Sequence, residues 1–148
     1  LVGFFTTLNE QFHLALIEDP LGEDDWEGWK KITESFSGKV LVVGDDLLAT
    51  NPQRVKQAIE LGACNAILVK PNQIGTISET LGVIAQARSA GWKVITSHRS
   101  GETNDTFIVD FAVGVSSDFV KFGAPARGER VAKYNRLLAI ESELRTGK

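Results

Sequence analysis

The 148-residue sequence predicts an α/β fold built from about five parallel β/α units. Three observations predict it. Short apolar runs alternate five times with longer stretches of helical periodicity. The runs are continuously apolar, which suits strands covered on both faces, as in a parallel sheet. A charged or titratable residue follows every run: Glu18, Asp45, Lys70, His98 and Lys121 stand 27, 25, 28 and 23 residues apart, one β/α unit each.

The elements follow in order. Residues 1–12 read as the end of a helix that His13 closes, and Leu14-Ala15-Leu16-Ile17 as the first strand. Trp26, Trp29, Ile32 and Phe36 recur at helical spacing, with both tryptophans expected to pack that helix. Glu23, Asp24, Asp25 and Glu27 cluster at its start, where the macrodipole favours negative charge. Val40-Leu41-Val42-Val43 is the second strand. Thr50-Asn51-Pro52 then supplies a cap residue and a first-turn proline for a helix with Val55, Ala58 and Ile59 as its stripe and Gly62 as its end. Cys64, expected to be a packed small residue, precedes the third strand, Ala66-Ile67-Leu68-Val69. The next helix has the expected stripe Ile77, Leu81, Ile84 and Ala85 and ends at Gly91. Val94-Ile95-Thr96 and Phe119-Val120 complete the strands, and a last helix carries Tyr134, Leu137, Leu138 and Leu144. No Pro/Ser-rich linker interrupts the chain, so residues 1–148 read as one continuous unit.

The alternation alone suits an open doubly wound sheet or a barrel. Five strands are too few to close an eight-stranded β/α barrel. A chain that begins inside a helix and offers five units therefore reads as part of a larger one. Its first residues, Leu1-Val2-Gly3-Phe4-Phe5, resemble a cut end more than a signal peptide.

Composition narrows the function. No apolar run approaches the roughly 20 residues a membrane helix needs. A net charge of −3 argues against bulk nucleic-acid binding. One cysteine excludes an intrachain disulfide and a cysteine-built zinc site, and fits a reducing, cytoplasmic compartment. Charge is unevenly spread: residues 1–50 hold ten Asp/Glu against three Lys/Arg, and residues 51–148 hold nine against thirteen. That split suits a site drawing cation-binding groups from one part and anion-binding groups from the other.

The residues after the strands carry the chemistry, because the C-terminal ends of parallel strands face the ligand in both architectures. Glu18 and Asp45 are hard oxygen donors suited to Mg²⁺. Lys70 and Lys121, aimed into one cavity with a metal, repel each other, which favours the neutral amine a general base needs. Arg99 offers a planar fork for a phosphate or carboxylate, and Ser100 adds a donor. The reaction class implied is metal-assisted proton abstraction next to a carboxylate on an anionic substrate.

Several segments carry a family resemblance: IEDP at 17–20, WEGWKKITE at 26–34, GDDLLATNP at 44–52, LVKPNQIGTISET at 68–80, SHRSGET at 97–103, KFGAP at 121–125 and ERVAKYNRLLAIE at 129–141. Together they resemble the enolases, the phosphopyruvate hydratases. The resemblance covers essentially the whole chain and implies the C-terminal portion of a TIM-type barrel domain. It also implies Mg²⁺-dependent, reversible dehydration of 2-phosphoglycerate to phosphoenolpyruvate in glycolysis and gluconeogenesis. Position by position, it implies Glu18 and Asp45 as Mg²⁺ ligands and Lys70 as the base at C2. It implies His98, Arg99 and Ser100 as substrate-binding residues, Arg99 and Ser100 on the phosphate side, and Lys121 at the substrate carboxylate. A small phosphorylated carboxylate is the implied substrate, and a homo-oligomer the implied assembly.

The resemblance is to the last third of such enzymes. The N-terminal domain, the first three barrel strands, a third carboxylate ligand and the acid glutamate that helps expel hydroxide have no counterpart in the sequence. The alternative is therefore an isolated, catalytically incomplete half-barrel acting as a binding or self-associating module. Two milder departures are Phe122 after Lys121, where a small or polar residue is usual, and Asn104 after SHRSGET, where an acid is common. Asn72 and Gln73 are expected to orient loops beside Lys70, and Glu102 and Arg127 either to pair or to line the site.

Overall fold

The computed structural model describes residues 1–147. It contains five parallel strands, hydrogen-bonded in chain order, and falls into two compact units, Leu1–Val94 and Ile95–Lys148.

In the first unit, helix α1 (Val2–Phe12) ends where His13 turns left-handed, at φ 51°. Strand β1 (Leu16–Glu18) follows, then α2 (Trp26–Phe36), whose start is capped by Asp25 accepting the N–H of Gly28 at 3.0 Å. The helical spacing read from the sequence is the packed face: Trp29, Ile32 and Phe36 are buried. Trp26 is half-buried, with the Arg54 guanidinium 5.1 Å above its ring. Strand β2 (Leu41–Gly44) leads to α3 (Pro52–Leu61), with Asn51 as the cap and Pro52 in its first turn, and Gly62 ends it at φ 65°. Strand β3 (Ala66–Val69), a one-turn helix α4 (Pro71–Ile74) and α5 (Ile77–Ser89) complete the unit.

Strand register places Leu16 beside Leu41, Glu18 beside Val43, and Val43 beside Ala66. The Asn65 amide reinforces this, accepting the Val42 N–H at 2.7 Å and donating to the Val40 carbonyl at 3.2 Å. All of β3 is buried, as its unbroken apolarity predicts. Full burial of each Val, Ile or Leu here contributes roughly 1.5–3 kcal/mol. Cys64 lies in this core, and burial pushes its thiol pKa up, so it is the packed residue expected.

The predicted stripe of α5 needs correction. The buried positions are Thr80, Val83, Ile84 and Ala87, whereas Ile77, Leu81 and Ala85 are exposed. Thr80 fits the apolar face because its hydroxyl donates to the Thr76 carbonyl at 2.7 Å and spends its polarity locally.

Strand β4 (Lys93–Ser97) begins against Asn65, whose carbonyl accepts the Lys93 N–H at 3.1 Å. In the second unit its end pairs with β5 (Phe119–Lys121), Ile95 lying beside Phe119 and Ser97 beside Lys121. Helix α6 (Phe107–Gly114), which the apolar pattern did not single out, connects them, and α7 (Gly128–Thr146) follows. Val109, Ala112, Phe122 and Ile140 form the core of this unit, with Ile108, Tyr134 and Leu137 packed against it. The bulky residue after Lys121 is thus a core side chain, its ring edge-on to Tyr134 at 6.4 Å.

Two expectations fail here. Strand β5 is not covered on both faces: Phe119 and Val120 keep 46% and 38% of their surface exposed, because β5 ends the sheet order and has one neighbouring strand. On α7, Tyr134 and Leu137 pack against the core, but Leu138 and Leu144 are exposed and Lys133 is buried, so only part of the expected set faces inward.

Candidate functional site

Groups expected to do chemistry gather at the C-terminal strand ends within each unit. In the first unit, Asp19 follows β1 at φ 42° and extends the ladder by donating its N–H to the Val43 carbonyl at 3.1 Å. Its two carboxylate oxygens accept the backbone N–H groups of Asp45 and Asp46, at 2.9 and 2.8 Å. Asp19 therefore fixes the backbone that carries Asp45. Burial raises the Asp19 pKa above the ordinary carboxylate value; the two amides oppose this, and the charges of Asp45 and Asp46 add to it.

Asp45 is 7% exposed. Gly44 before it has no room for a side chain, since a Cβ would lie 2.7 Å from Leu48 Cδ1. Both Asp45 oxygens lie 2.6 Å from Lys70 Nζ, which reaches back from the end of β3. Thr50 sets the Lys70 backbone. It is fully buried and left-handed at φ 53°, an unfavourable conformation for a β-branched residue. Its hydroxyl accepts the Lys70 N–H at 3.0 Å and donates to Gln73 Oε1 at 3.2 Å. Gln73 is thus a loop-orienting residue, as read from the sequence.

Asp19, Asp45 and Asp46 each offer a carboxylate oxygen within 4.8 Å of the others'. The set suits a hard cation such as Mg²⁺. Lys70 Nζ already lies 2.6 Å from Asp45, the position such a cation would share. Glu18 ends β1 beside Val43, half-buried and outside that group of three.

The second unit gathers His98, Arg99, Ser100 and Lys121. The His98 N–H donates to the Lys121 carbonyl at 3.0 Å, continuing the β4–β5 ladder. Its Nδ1 is buried without a hydrogen-bond partner among the described residues. Burial lowers the His98 pKa, and the charges of Arg130 and Lys121 lower it further, against a hydrogen bond to the Phe122 backbone and the Glu102 charge. The Arg99 N–H donates to Glu102 Oε1 at 2.9 Å, and the carbonyls of Arg99 and Ser100 accept from Arg130 at 3.0 and 2.9 Å. Glu102 pairs with Lys133 at 2.7 Å and Arg127 with Glu129 at 3.0 Å, so Glu102 and Arg127 have separate partners. Burial raises the Glu102 pKa, but the Lys133 hydrogen bond and the amides of Arg99 and Thr103 outweigh it and leave the carboxyl below its ordinary value.

The structure thus joins Asp45 to Lys70 in one unit, and His98 to Lys121 through the backbone in the other. It adds Asp19 and Thr50 as residues that hold Asp45 and Lys70, and Arg130 and Lys133 as residues that hold the loop carrying Arg99 and Ser100. Of these, Lys133 left a legible signal: it falls four and seven residues before Leu137 and Ile140, on the stripe that is otherwise apolar.

A family model described as the C-terminal TIM barrel domain of enolase matches residues 1–148. The chain belongs to the enolase family. Its five parallel β/α units are accordingly part of a TIM-type barrel. It is 56% identical over 142 residues to an enolase of Mycobacteroides abscessus, covering 96% of this chain and 33% of that protein. It is 54% identical over 144 residues to an enolase of Kineococcus radiotolerans, covering 97% and 33%. An enolase of Wolinella succinogenes is 52% identical over 144 residues, covering 97% and 34%. The chain spans about a third of the length of these curated relatives. Among the described residues, no helix is long and apolar enough to cross a membrane.

Proposed function

We propose that these residues are the C-terminal portion of the barrel of a cytoplasmic, homo-oligomeric enolase. Its reaction is the reversible dehydration of 2-phosphoglycerate to phosphoenolpyruvate in glycolysis. One observation carries this reading: in a chain of the enolase family, Lys70 and Asp45 meet at the ends of adjacent strands, 2.6 Å apart. A proton acceptor and a cation ligand at one place are what abstraction next to a carboxylate requires.

In this mechanism the neutral Lys70 Nζ takes the proton from C2. Its pairing with Asp45 keeps Nζ near the strand end, and it must leave that contact to face the substrate. Arg99 and Ser100 hold the phosphate, with His98 beside them, and Lys121 holds the carboxylate. Loss of the C3 hydroxyl, protonated as it leaves, releases water and forms the C2–C3 double bond. Glu18 and Asp45 would hold Mg²⁺, with Asp19 fixing the Asp45 backbone. When bound, that ion supplies positive charge for the substrate carboxylate as C2 loses its proton. The proton for the leaving hydroxyl is assigned to a group outside these 148 residues.

The test is the intact mass of the protein from its source, with Mg²⁺-dependent phosphoenolpyruvate formation followed on the same material. A mass near three times 16.1 kDa with turnover supports the reading. Turnover by a 16.1 kDa species would overturn the assignment of the acid to residues outside the chain. A 16.1 kDa species without turnover favours the second reading, a catalytically incomplete self-associating module, which the exposed apolar surface of β5 supports.

A further inference from the structure

Lys133 is fully buried, yet its side chain ends in a polar Nζ. Its Nζ lies 2.7 Å from Glu102 Oε2 and donates to the carbonyls of Thr103, Asp105 and Glu129, at 3.1, 3.1 and 3.0 Å. Three of the four acceptors belong to the loop between β4 and α6. An apolar residue of similar length would fill this place on α7 without the desolvation that a buried ammonium incurs. What the ammonium adds is a closed loop.

The loop so closed is the one that presents Arg99 and Ser100. The second oxygen of Glu102 accepts the Arg99 N–H at 2.9 Å. Arg130, one turn earlier on the same helix, donates one guanidinium nitrogen to the Arg99 carbonyl and the other to the Ser100 carbonyl. The Arg99 backbone is therefore held on its N–H side by Glu102 and on its C=O side by Arg130. Fixing both sides fixes the direction in which its side chain leaves the backbone.

We propose that Lys133 and Arg130 are positioning residues that, through Glu102 and the loop carbonyls, aim Arg99 and Ser100 at the phosphate of the substrate. The inference rests on the enolase reading, because it names which residues organise that reading's phosphate side. Neither residue touches the reacting atoms.

The test compares Lys133→Met and Glu102→Gln with the unaltered sequence in the complete enzyme. It reads amide hydrogen exchange at Arg99 together with KM and kcat for 2-phosphoglycerate. Removing a buried partner is expected to speed Arg99 exchange and raise KM by roughly tenfold each, with a smaller change in kcat. A merely structural role would instead reduce the folded fraction, lowering apparent kcat at unchanged KM. Glu102→Gln keeps the side-chain shape and decides the matter if Lys133→Met does not fold. Unchanged Arg99 exchange, or faster exchange with unchanged KM, overturns the proposal. An unaltered enzyme that does not turn over 2-phosphoglycerate sinks the enolase reading and this inference with it. Turnover with insensitive variants sinks the inference alone.

Discussion

Lys70 Nζ lies 2.6 Å from each carboxylate oxygen of Asp45, joining the ends of β3 and β2 through side chains 25 residues apart. The two have separable roles in the proposed reaction. In the complete enzyme, Lys70→Ala is expected to slow solvent exchange at C2 of 2-phosphoglycerate by roughly 10²- to 10⁴-fold. Calorimetric titration of that variant should still detect Mg²⁺, since the carboxylates remain. Exchange at the unaltered rate would remove Lys70 from the base role.

Thr50 tests the support beneath Lys70. Thr50→Val deletes the hydroxyl that accepts the Lys70 N–H and leaves that buried donor unpaired. The expected loss is about 1–3 kcal/mol in urea denaturation. Thr50→Ser keeps the hydroxyl and removes the β-branching from a left-handed residue, so it should cost less than about 1 kcal/mol. Equal losses in the two variants would show that the hydroxyl is not what matters.

His98 should make stability depend on pH. Its folded pKa lies below the ordinary value of 6.5, chiefly through burial. Between the two values the unfolded chain binds the extra proton, so stability rises with pH in that interval. The contribution of neutral His98 is complete above the unfolded value and is lost as pH falls through the folded one. Urea midpoints measured from neutral to mildly acid pH should show this slope, and His98→Gln should lack it. The same slope in both proteins would assign it to another group.

Strand β5 predicts self-association. It presents exposed Phe119 and Val120 on a strand with one neighbour, a surface open to pairing with a second chain. Studied alone, the 148-residue chain should sediment as a species larger than 16.1 kDa, and Phe119→Lys should shift it toward that mass. A monomer in both cases would mean that the edge is not adhesive.

Local rules carried most of the fold. Unbroken apolar runs located all five strands, and Asn51-Pro52 and Gly62 marked both ends of α3. The errors arose where a helix face depends on tertiary surroundings. Thr80 is buried because its hydroxyl bonds within α5, and Ile77 and Leu81 are exposed; hydrophobicity alone ranks them the other way. The candidate site divides similarly. Residues placed by strand ends, such as Asp45 and Lys70, were legible from their spacing. Asp19 follows the first strand as one carboxylate among several, and its bonds to two amides 26 and 27 residues later depend on strand register. Lys133 was visible as a charge on an apolar stripe, yet its acceptors lie in a loop with no periodicity to read.

The Lys133 contacts also order events during synthesis. Thr103, Glu102 and Asp105 are made about 30 residues before the ammonium that holds them. At roughly 5–20 residues per second, the ribosome delivers Lys133 about 2–6 s after that loop. During the delay the loop has no cation to close around, and Arg99 has no Arg130 at its carbonyl. The phosphate side of the proposed site is therefore completed only when the last helix emerges, after the carboxylates and Lys70 have already been translated.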